Sequence, residues 1–147
     1  MNYILKEPKT KIDFKNYYYF RWQQLRKPLN DSKESAIDEI ENDSYHIMAV
    51  NSDDKIIGIG RLHSKKVDIS QIRFMAVDNS NQNKGIGSNI LSYLEGIAAN
   101  ENGDSKVILH AREAAINFYK KNGYKMVKKT HKIKGGIQHY LMEKVVA

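Results

Sequence analysis

The stretch NQNKGIGSNI, residues 81–90, marks the boundary between two predicted elements. A polar, turn-rich run meets Gly85 and Gly87, and apolar residues then recur at helical spacing. The first turn of a helix has unpaired backbone N–H groups and a partial positive charge, and glycines let an anion approach that backbone. The stretch alone leaves two interpretations open: an ordinary strand-to-helix turn, or a loop that binds an anion.

The glycine spacing excludes two other kinds of phosphate-binding loop. The lysine and hydroxyl residue of a Walker loop do not follow, and the third glycine of a dinucleotide-binding fingerprint is missing. Gln82 can donate a side-chain hydrogen bond, and Lys84 adds a full positive charge. The loop is therefore chemically suited to a pyrophosphate.

The composition limits the class of protein. With 147 residues, the chain is long enough for one domain, residues 1–147, and too short for two ordinary ones. No apolar run approaches the roughly 18 to 20 residues of a membrane span, so we expect no membrane partner. Cysteine is absent, which excludes disulfides, thiolate zinc sites and a cysteine nucleophile. We expect a cytoplasmic protein that uses no metal.

The net charge of +7 comes from lysine more than from arginine. A basic balance is typical of proteins that bind nucleic acid, a membrane surface or a small polyanionic ligand. The lysines are scattered, in pairs such as Lys65–Lys66 and Lys120–Lys121, and they form no basic stripe. We interpret most of them as a solvated surface, with nucleic-acid binding as the alternative.

Hydrophobic periodicity predicts strands and helices along the whole chain. Predicted strands cover residues 3–7, 45–50, 55–64, 67–77 and 106–111, with two more around Gly135–Gly136. Predicted helices cover residues 12–27, 32–41, 87–100 and 112–123. The strands on either side of the third helix are joined by a crossover and should be parallel, whereas the rest can be antiparallel. The fold class is therefore α/β: a mixed, mostly antiparallel sheet of six to seven strands, with a central parallel pair and helices on both faces.

Two motifs, in the expected order, resemble the GNAT family of N-acetyltransferases. Residues Gln82–Gly87 match the family's acetyl-CoA loop, Q/R-x-x-G-x-G/A, and residues Ala115–Tyr124 match its helix motif, A-x-x-F-Y-x-x-x-G-Y/F. The strand order agrees along the whole chain, and the motif-level similarity runs from Ile72 to Tyr124. The resemblance implies the acyl-CoA N-acyltransferase fold, with acetyl-CoA as co-substrate.

The resemblance also implies a set of cofactor contacts. In this family the fourth strand and its parallel neighbour splay apart, and the pantetheine arm fits in the gap. The backbones of Met75 and Val77 should hold the pantetheine, a backbone N–H near Met75 or Ala76 should polarise the thioester carbonyl, and the loop should hold the pyrophosphate. The residues so implied, together with one further candidate in the last helix, are Met75, Ala76, Val77, Gln82, Asn83, Lys84, Gly85, Ile86, Gly87, Ser88 and Asn117.

Acetyl transfer needs an acid for the departing thiolate and a base for the amine. Tyr119 matches the family tyrosine near the cofactor sulfur and is the implied acid; the alternative is that it only packs beside Phe118. His110 is the first candidate for the base, because its strand borders the cofactor gap. His63 and His139 are the other candidates, and a surface or core role is the alternative for all three histidines.

Arginines and aromatic residues suggest where an acceptor could bind. Arg73 could bind a carboxylate on the substrate, although a salt bridge within the protein is the simpler interpretation. For NYYYFRW, residues 16–22, we expect core packing together with a tyrosine-rich surface, with a wall of the acceptor pocket as the alternative. Arg21 and Arg26 on the same helix could meet an anionic acceptor. Arg112 stands where the family often has asparagine, and it could reach a phosphate or form a salt bridge.

The predicted function is transfer of the acetyl group of acetyl-CoA to an amine, by direct attack in a ternary complex. The absence of cysteine fits direct attack, because no thiol can carry an acyl intermediate. The alternative is a catalytically silent acyl-CoA-binding or regulatory domain. We expect a small-molecule or peptide amine as acceptor and no nucleic-acid partner, and the final strands could form a homodimer.

Overall fold

A single mixed sheet organises the chain. The computed structural model describes residues 2–133 and 135–147. The strands are β1 (Tyr3–Lys6), β2 (Tyr45–Asn51), β3 (Ile56–Lys66), β4 (Ile69–Val77), β5 (Lys106–Arg112), β6 (Lys125–Ile133) and β7 (Ile137–Val145). The helices are α1 (Lys11–Leu25), α2 (Ile86–Asn100) and α3 (Ile116–Lys121). Within these described residues, no helix is long and apolar enough to cross a membrane.

The strand directions confirm the predicted fold class. The spatial order is β1-β2-β3-β4-β5-β7-β6. β4 and β5, which precede and follow α2 in the chain, are parallel, and the other neighbouring pairs are antiparallel. The consecutive strands β2 and β3, and likewise β6 and β7, pair as antiparallel hairpins. The sheet therefore has seven strands, with its parallel pair in the interior.

Helices cover both faces of the sheet, because alternate residues of a strand point to opposite sides. In β2, Ile47 and Ala49 belong to the core cluster that contains the buried residues of α2. Met48 and Val50 belong instead to a cluster with Tyr17 of α1. Both faces of this strand are therefore shielded from water, as expected for a strand inside a mixed α/β sheet.

A β-bulge in β4 opens the sheet beside β5. Phe74 and Met75 together face Gly60 of β3, where the register shifts, and Phe74 has a left-handed backbone with φ of 58°. Parallel pairing with β5 is confined to residues Ile69–Gln71 of β4 in the described chain. A bulge bends its strand, so a gap opens between β4 and β5 toward the end of β4 that leads into the glycine loop.

The prediction of a helix at residues 32–41 is wrong, because the segment forms only short 3₁₀ turns. The carbonyl oxygen of Ala36 accepts a hydrogen bond from the guanidinium of Arg21. The N–H of Ile40, which would bond that carbonyl in an α-helix, donates to the carboxylate of Asp38 instead. Side-chain contacts thus replace the helical hydrogen bond and override the local pattern.

The helix predicted at residues 112–123 is shorter than expected. β5 continues through Arg112, which pairs with His139 of β7. A 3₁₀ turn follows, and α3 covers only residues Ile116–Lys121. Pairing with β7 therefore delays the start of the helix and leaves Arg112 on the sheet, beside the gap.

Gly60 should tolerate no side chain. A Cβ there would lie 2.8 Å from Ile90 and 2.9 Å from Leu94, both in α2. We expect Gly60→Ala to lower the free energy of unfolding by about 1–3 kcal/mol, because overpacking forces the helix and the sheet apart. In the matched control Gly96→Ala, the added Cβ meets nothing within 4 Å, and we expect a gain of about 0.5–1 kcal/mol. Urea denaturation would measure both, and an equal change in the two variants would contradict the close packing at Gly60.

Candidate active site

A groove of about 800 Å³ runs between the end of β4, the glycine loop and α3. Most of the residues predicted to bind a cofactor line it: Met75, Ala76, Val77, Gln82, Asn83, Gly85, Ile86, Gly87 and Ser88. Lys84 and Asn117 are exposed, and neither is among the described residues that line the groove. The structure therefore brings all but these two predicted cofactor residues together.

The glycine loop presents the start of α2 to this groove. Gln82 donates from its side-chain amide to the carbonyl oxygen of Val77, which ties the loop to the end of β4. Gly85 is the N-cap of α2 with φ of 84°, and no side chain in the described chain caps the helix. The N–H groups of the first turn, from Ile86 onward, are therefore available to a ligand. Such a helix start favours an anion.

Gly87 has a packing role in addition to its place in the loop. A Cβ at this position would lie 2.9 Å from the Cζ atom of Phe118 in α3. The aromatic ring therefore packs directly on the start of α2. The two glycines meet different needs, because Gly85 permits a positive φ and Gly87 permits the close approach of a ring.

A second cavity, of about 470 Å³, adjoins the groove. Its walls come from the end of α1, the segment before β2, strands β3, β4 and β5, and the β6–β7 hairpin. The two cavities share the lining residues Leu25, Met75, Arg112, Ala115 and Tyr119. Two molecules bound in separate cavities would therefore meet beside these shared residues.

The surroundings of Tyr119 keep its phenol protonated. The residue is only 8% exposed, and burial raises the pKa of Tyr119 to about 12, while the nearby guanidinium of Arg112 acts in the opposite direction. Its ring contacts Phe118 and Tyr124 edge-on, at centroid distances of 5.1 and 5.8 Å. Tyr119 is therefore a buried phenol, protonated at neutral pH, at the junction of the two cavities.

Four histidines line the second cavity: His63, His110, His131 and His139. His131 is stacked on His139 at a centroid distance of 4.8 Å and lies 5.2 Å from His110. Sequence analysis missed His131, although its place across the hairpin from His139 could have indicated it. Burial, helped by neighbouring positive groups, lowers the pKa of His63 to about 4 and holds the pKa of His110 and His139 below the usual value. Within the described residues, no group of three or more His, Cys, Asp or Glu side chains is arranged to hold a metal ion.

Within the described residues, hydrogen bonding leaves one ring nitrogen of His110 free to accept a proton. Thr130 donates its hydroxyl hydrogen to the carbonyl oxygen of His139 at 3.1 Å, so its oxygen can accept from Nδ1 of His110 at 3.3 Å. Neutral His110 then carries its proton on Nδ1 and a lone pair on Nε2. In contrast, Nδ1 of His63 faces the guanidinium of Arg61 at 3.3 Å, which resists protonation of that ring.

Comparison with known proteins identifies the family. A sequence profile of the Acetyltransferase (GNAT) domain matches residues 20–146. The chain belongs to the GNAT family. It is 35% identical over 136 residues to the uncharacterised N-acetyltransferase YjcF of Bacillus subtilis (strain 168). These residues make up 92% of this chain and 95% of that protein. The family resemblance of the two motifs is thereby confirmed.

Solved structures show that the GNAT fold extends over the whole chain. An aminoglycoside 6′-N-acetyltransferase complexed with coenzyme A matches with a TM-score of 0.80 and 18% identity, covering 98% of this chain and 97% of that chain. A spermidine N-acetyltransferase SpeG chimera from Vibrio cholerae and hSSAT matches with a TM-score of 0.74 and 12% identity, covering 99% and 96%. At these identities the similarity establishes the fold alone.

Most aromatic residues of α1 in this GNAT domain pack within the protein, whereas Tyr19 is 47% exposed. Trp22 donates to the carbonyl oxygen of Asp31, and the ring of Tyr18 lies beside that of His46. None of residues 16–22 is among the described residues that line the second cavity, whereas Leu25 and Arg26 at the end of the helix are. The structure agrees with the packing interpretation of this cluster.

The arginines suggested as acceptor contacts separate into two groups. Arg21 is fully buried and binds a glutamate at 2.6 Å, and it does not line the second cavity in the described chain. Arg73 forms the expected internal salt bridge, with Asp38 at 3.0 Å, yet it also lines the cavity. Arg26 and Arg112 line the cavity and donate to backbone carbonyl groups.

Titration of the imidazole groups by NMR would test these histidine environments. We expect His63 to titrate near pH 4 and His110 below pH 6.5, because burial disfavours the charged forms. Nitrogen chemical shifts should show His110 as the Nδ1–H tautomer.

Unfolded His63 binds its proton near pH 6.5 and folded His63 only near pH 4, so protonation in this window favours unfolding. His63→Gln should therefore lessen the loss of stability between these two pH values, and titration of His63 near pH 6.5 would contradict its burial.

Proposed function

We propose that this GNAT protein transfers the acetyl group of acetyl-CoA to an amine by direct attack in a ternary complex. The observation that carries the proposal is the meeting of two cavities at Tyr119, a buried phenol that lines both. A ternary complex requires separate places for two substrates and a shared wall where they react. The absence of cysteine agrees with direct attack, because no thiol is present to carry the acetyl group.

The groove suits acetyl-CoA by its chemistry. The uncapped start of α2 favours a pyrophosphate, and the segment Met75–Val77 offers backbone groups along the groove to a pantetheine arm. When bound, acetyl-CoA would supply the acetyl group as an activated thioester. The coenzyme A complex of the aminoglycoside enzyme, which has the same fold, supports this choice of co-substrate.

We assign three roles to residues that line one or both of the cavities. The bulge leaves Met75 without a partner in the β3 register, so a backbone N–H at Met75 or Ala76 would stabilise negative charge on the thioester oxygen. Tyr119 would donate its phenolic proton to the departing sulfur. His110 would accept a proton from the amine at Nε2, directly or through a water molecule.

A catalytically silent acyl-CoA-binding domain is less well supported. Such a domain needs the groove alone, and it gives no role to a second cavity lined by four histidines and joined to the groove at Tyr119. We propose a small-molecule or peptide amine as the acceptor. We also propose a cytoplasmic setting, since a chain without cysteine fits a reducing compartment.

Gly85 allows a charge test of the pyrophosphate site. We expect Gly85→Asp to weaken binding of acetyl-CoA by about tenfold or more, because its carboxylate would repel the pyrophosphate. Gly85→Asn is the matched control, since asparagine and aspartate have the same shape and both tolerate a positive φ, and an added Cβ meets nothing within 4 Å. Calorimetric titration with acetyl-CoA would measure both affinities. Equal affinities would count against a pyrophosphate at this helix start.

Loss of the acid and loss of the base should affect the pH profile differently. We expect Tyr119→Phe to lower kcat about 10²–10⁴-fold, with little change in the Kd of acetyl-CoA. We expect His110→Gln to lower kcat/KM and to remove the acid limb of the profile, which should lie below pH 6.5 because burial lowers the pKa of His110. Steady-state kinetics across pH would measure both changes.

Tyr124→Phe provides the matched control for the phenol. Tyr124 contacts the ring of Tyr119, but its hydroxyl donates to Glu95 at 2.8 Å and it lines neither cavity in the described chain. Its removal should lower stability and leave kcat near the wild-type value. If Tyr119→Phe also kept the wild-type kcat, the acid role of Tyr119 would be refuted.

A further inference from the structure

All five arginines of this lysine-rich chain lie together on the acceptor side of the fold. Four of them place their guanidinium carbon between 4.1 and 5.6 Å from the ring centroid of Phe74: Arg21, Arg26, Arg61 and Arg73. The fifth is Arg112, which lines the second cavity together with all of these except Arg21. Arginine, unlike lysine, offers a rigid planar fork that matches carboxylate and phosphate groups. The placement therefore indicates recognition of an anion.

The acidic residues of the cavity do not neutralise this charge. Five cationic side chains line the cavity, against the carboxylates of Asp38 and Glu39. Asp38 is already shared by two guanidinium groups, at 2.8 Å from Arg61 and 3.0 Å from Arg73. Burial alone would raise the pKa of Asp38, but these arginines hold it below its usual range. Glu39 is exposed and forms no ion pair within the described part of the chain. The cavity therefore keeps an excess of positive charge.

Two guanidinium groups converge on a single backbone oxygen. The carbonyl oxygen of Leu25 accepts from Nη1 of Arg26 at 3.2 Å and from Nη2 of Arg112 at 3.0 Å. Within the described residues, neither arginine lies within 4.0 Å of a carboxylate. Burial and the proximity of Arg73 and Arg112 both lower the pKa of Arg26. The repulsion between these half-buried cations is therefore still present in the protein alone.

The end of α1 accounts for only part of this arrangement. A cation near the last carbonyl groups of a helix is favourable, because that end carries a partial negative charge. One guanidinium would be enough to stabilise the carbonyl oxygen of Leu25. A second one adds Coulomb repulsion at short range, in a place where water is partly excluded. An anion bound between Arg26 and Arg112 would relieve that repulsion.

We propose that the acceptor is an amine that also carries a carboxylate or phosphate, which Arg26, Arg73 and Arg112 bind in the second cavity. This inference rests on the proposed acetyl transfer and specifies its acceptor. The three arginines hold the anionic group of the acceptor, while its amine lies between His110 and the shared residues Met75 and Tyr119. The excess positive charge of the cavity disfavours polycationic acceptors, even though related folds include aminoglycoside and spermidine acetyltransferases.

Matched amines would test the proposal on the full chain. The panel contains ω-amino acids from β-alanine to aminohexanoate, each beside the diamine and the alkylamine of the same length, with phosphoethanolamine added. Tripeptides with an acidic, neutral or basic second residue extend the panel to larger acceptors. Release of coenzyme A can be followed with a thiol reagent without background from the protein, because the chain has no cysteine. We expect kcat/KM for the anionic members to exceed that of their matched partners by about tenfold or more.

Arg26→Gln and Lys33→Gln form the matched pair of variants. Lys33 is exposed, lies over the ring of Trp22 and does not line the cavity in the described chain. Arg26→Gln should reduce the preference for anionic amines about fivefold or more, and Lys33→Gln should keep it. Independently of activity, inorganic phosphate or glutarate should shift the Nε–H resonances of Arg26 and Arg112 in NMR spectra, and the stronger ligand of the two would distinguish phosphate from carboxylate.

Each outcome of these experiments decides between defined possibilities. Preference for anionic amines that Arg26→Gln removes and Lys33→Gln retains would support the proposal. Equal or better use of diamines or alkylamines would overturn the anionic acceptor and leave the acetyl transfer intact. No transfer to any member of the panel, with acetyl-CoA still bound in calorimetry, would overturn the proposed function and this inference with it.

Discussion

The site depends on one strained backbone position, Phe74. A phenylalanine in the left-handed region costs about 1–3 kcal/mol, yet Phe74 adopts φ of 58° inside a strand. Buried contacts hold it there: the guanidinium of Arg21 lies 4.1 Å from its ring centroid, and Tyr17 donates at 3.1 Å to the carbonyl oxygen of Gly60, the residue opposite the bulge. The bulge ends the parallel pairing and turns Met75 out of the β3 register, so the two cavities meet beside it.

Charged groups are buried behind the second cavity. Arg21 and Arg61 are fully buried and share Glu41, at 2.6 and 3.2 Å, and Arg61 also binds Asp38 at 2.8 Å. Buried ion pairs add little net stability, because desolvation offsets much of the Coulomb attraction, but the loss of one partner is costly. This network therefore fixes the position of the segment before β2 more than it strengthens the fold. The fixed segment forms one wall of the second cavity and places Asp38 between Arg61 and Arg73. Arg26 and Arg112 are thereby left without a carboxylate partner in the described chain.

The sheet and most of the residues that line the groove could be predicted from the sequence because their signals are local. Strand patterns, a crossover helix and a glycine loop are each contained in one short segment, and the family motifs mark the same segments. The helix at residues 32–41 was predicted wrongly because the contact that prevents it, a hydrogen bond to the carbonyl oxygen of Ala36, comes from Arg21 in another element. The packing reason for Gly87 likewise lies in Phe118 of a later helix. The bulge left no signal, since its positive φ falls on phenylalanine and not on glycine.

Exposed lysines line one edge of the sheet. β6 is an edge strand of the described sheet, and its exposed lysines are Lys125, Lys128, Lys129 and Lys132. Such a row of charges opposes backbone pairing with a second copy of the same edge. A homodimer through the final strands would therefore form more readily through side-chain contacts, for which the exposed Met126 and Val127 offer apolar surface. Because the β6–β7 hairpin also carries His131 and His139 to the second cavity, any such contact would restrain one wall of that cavity.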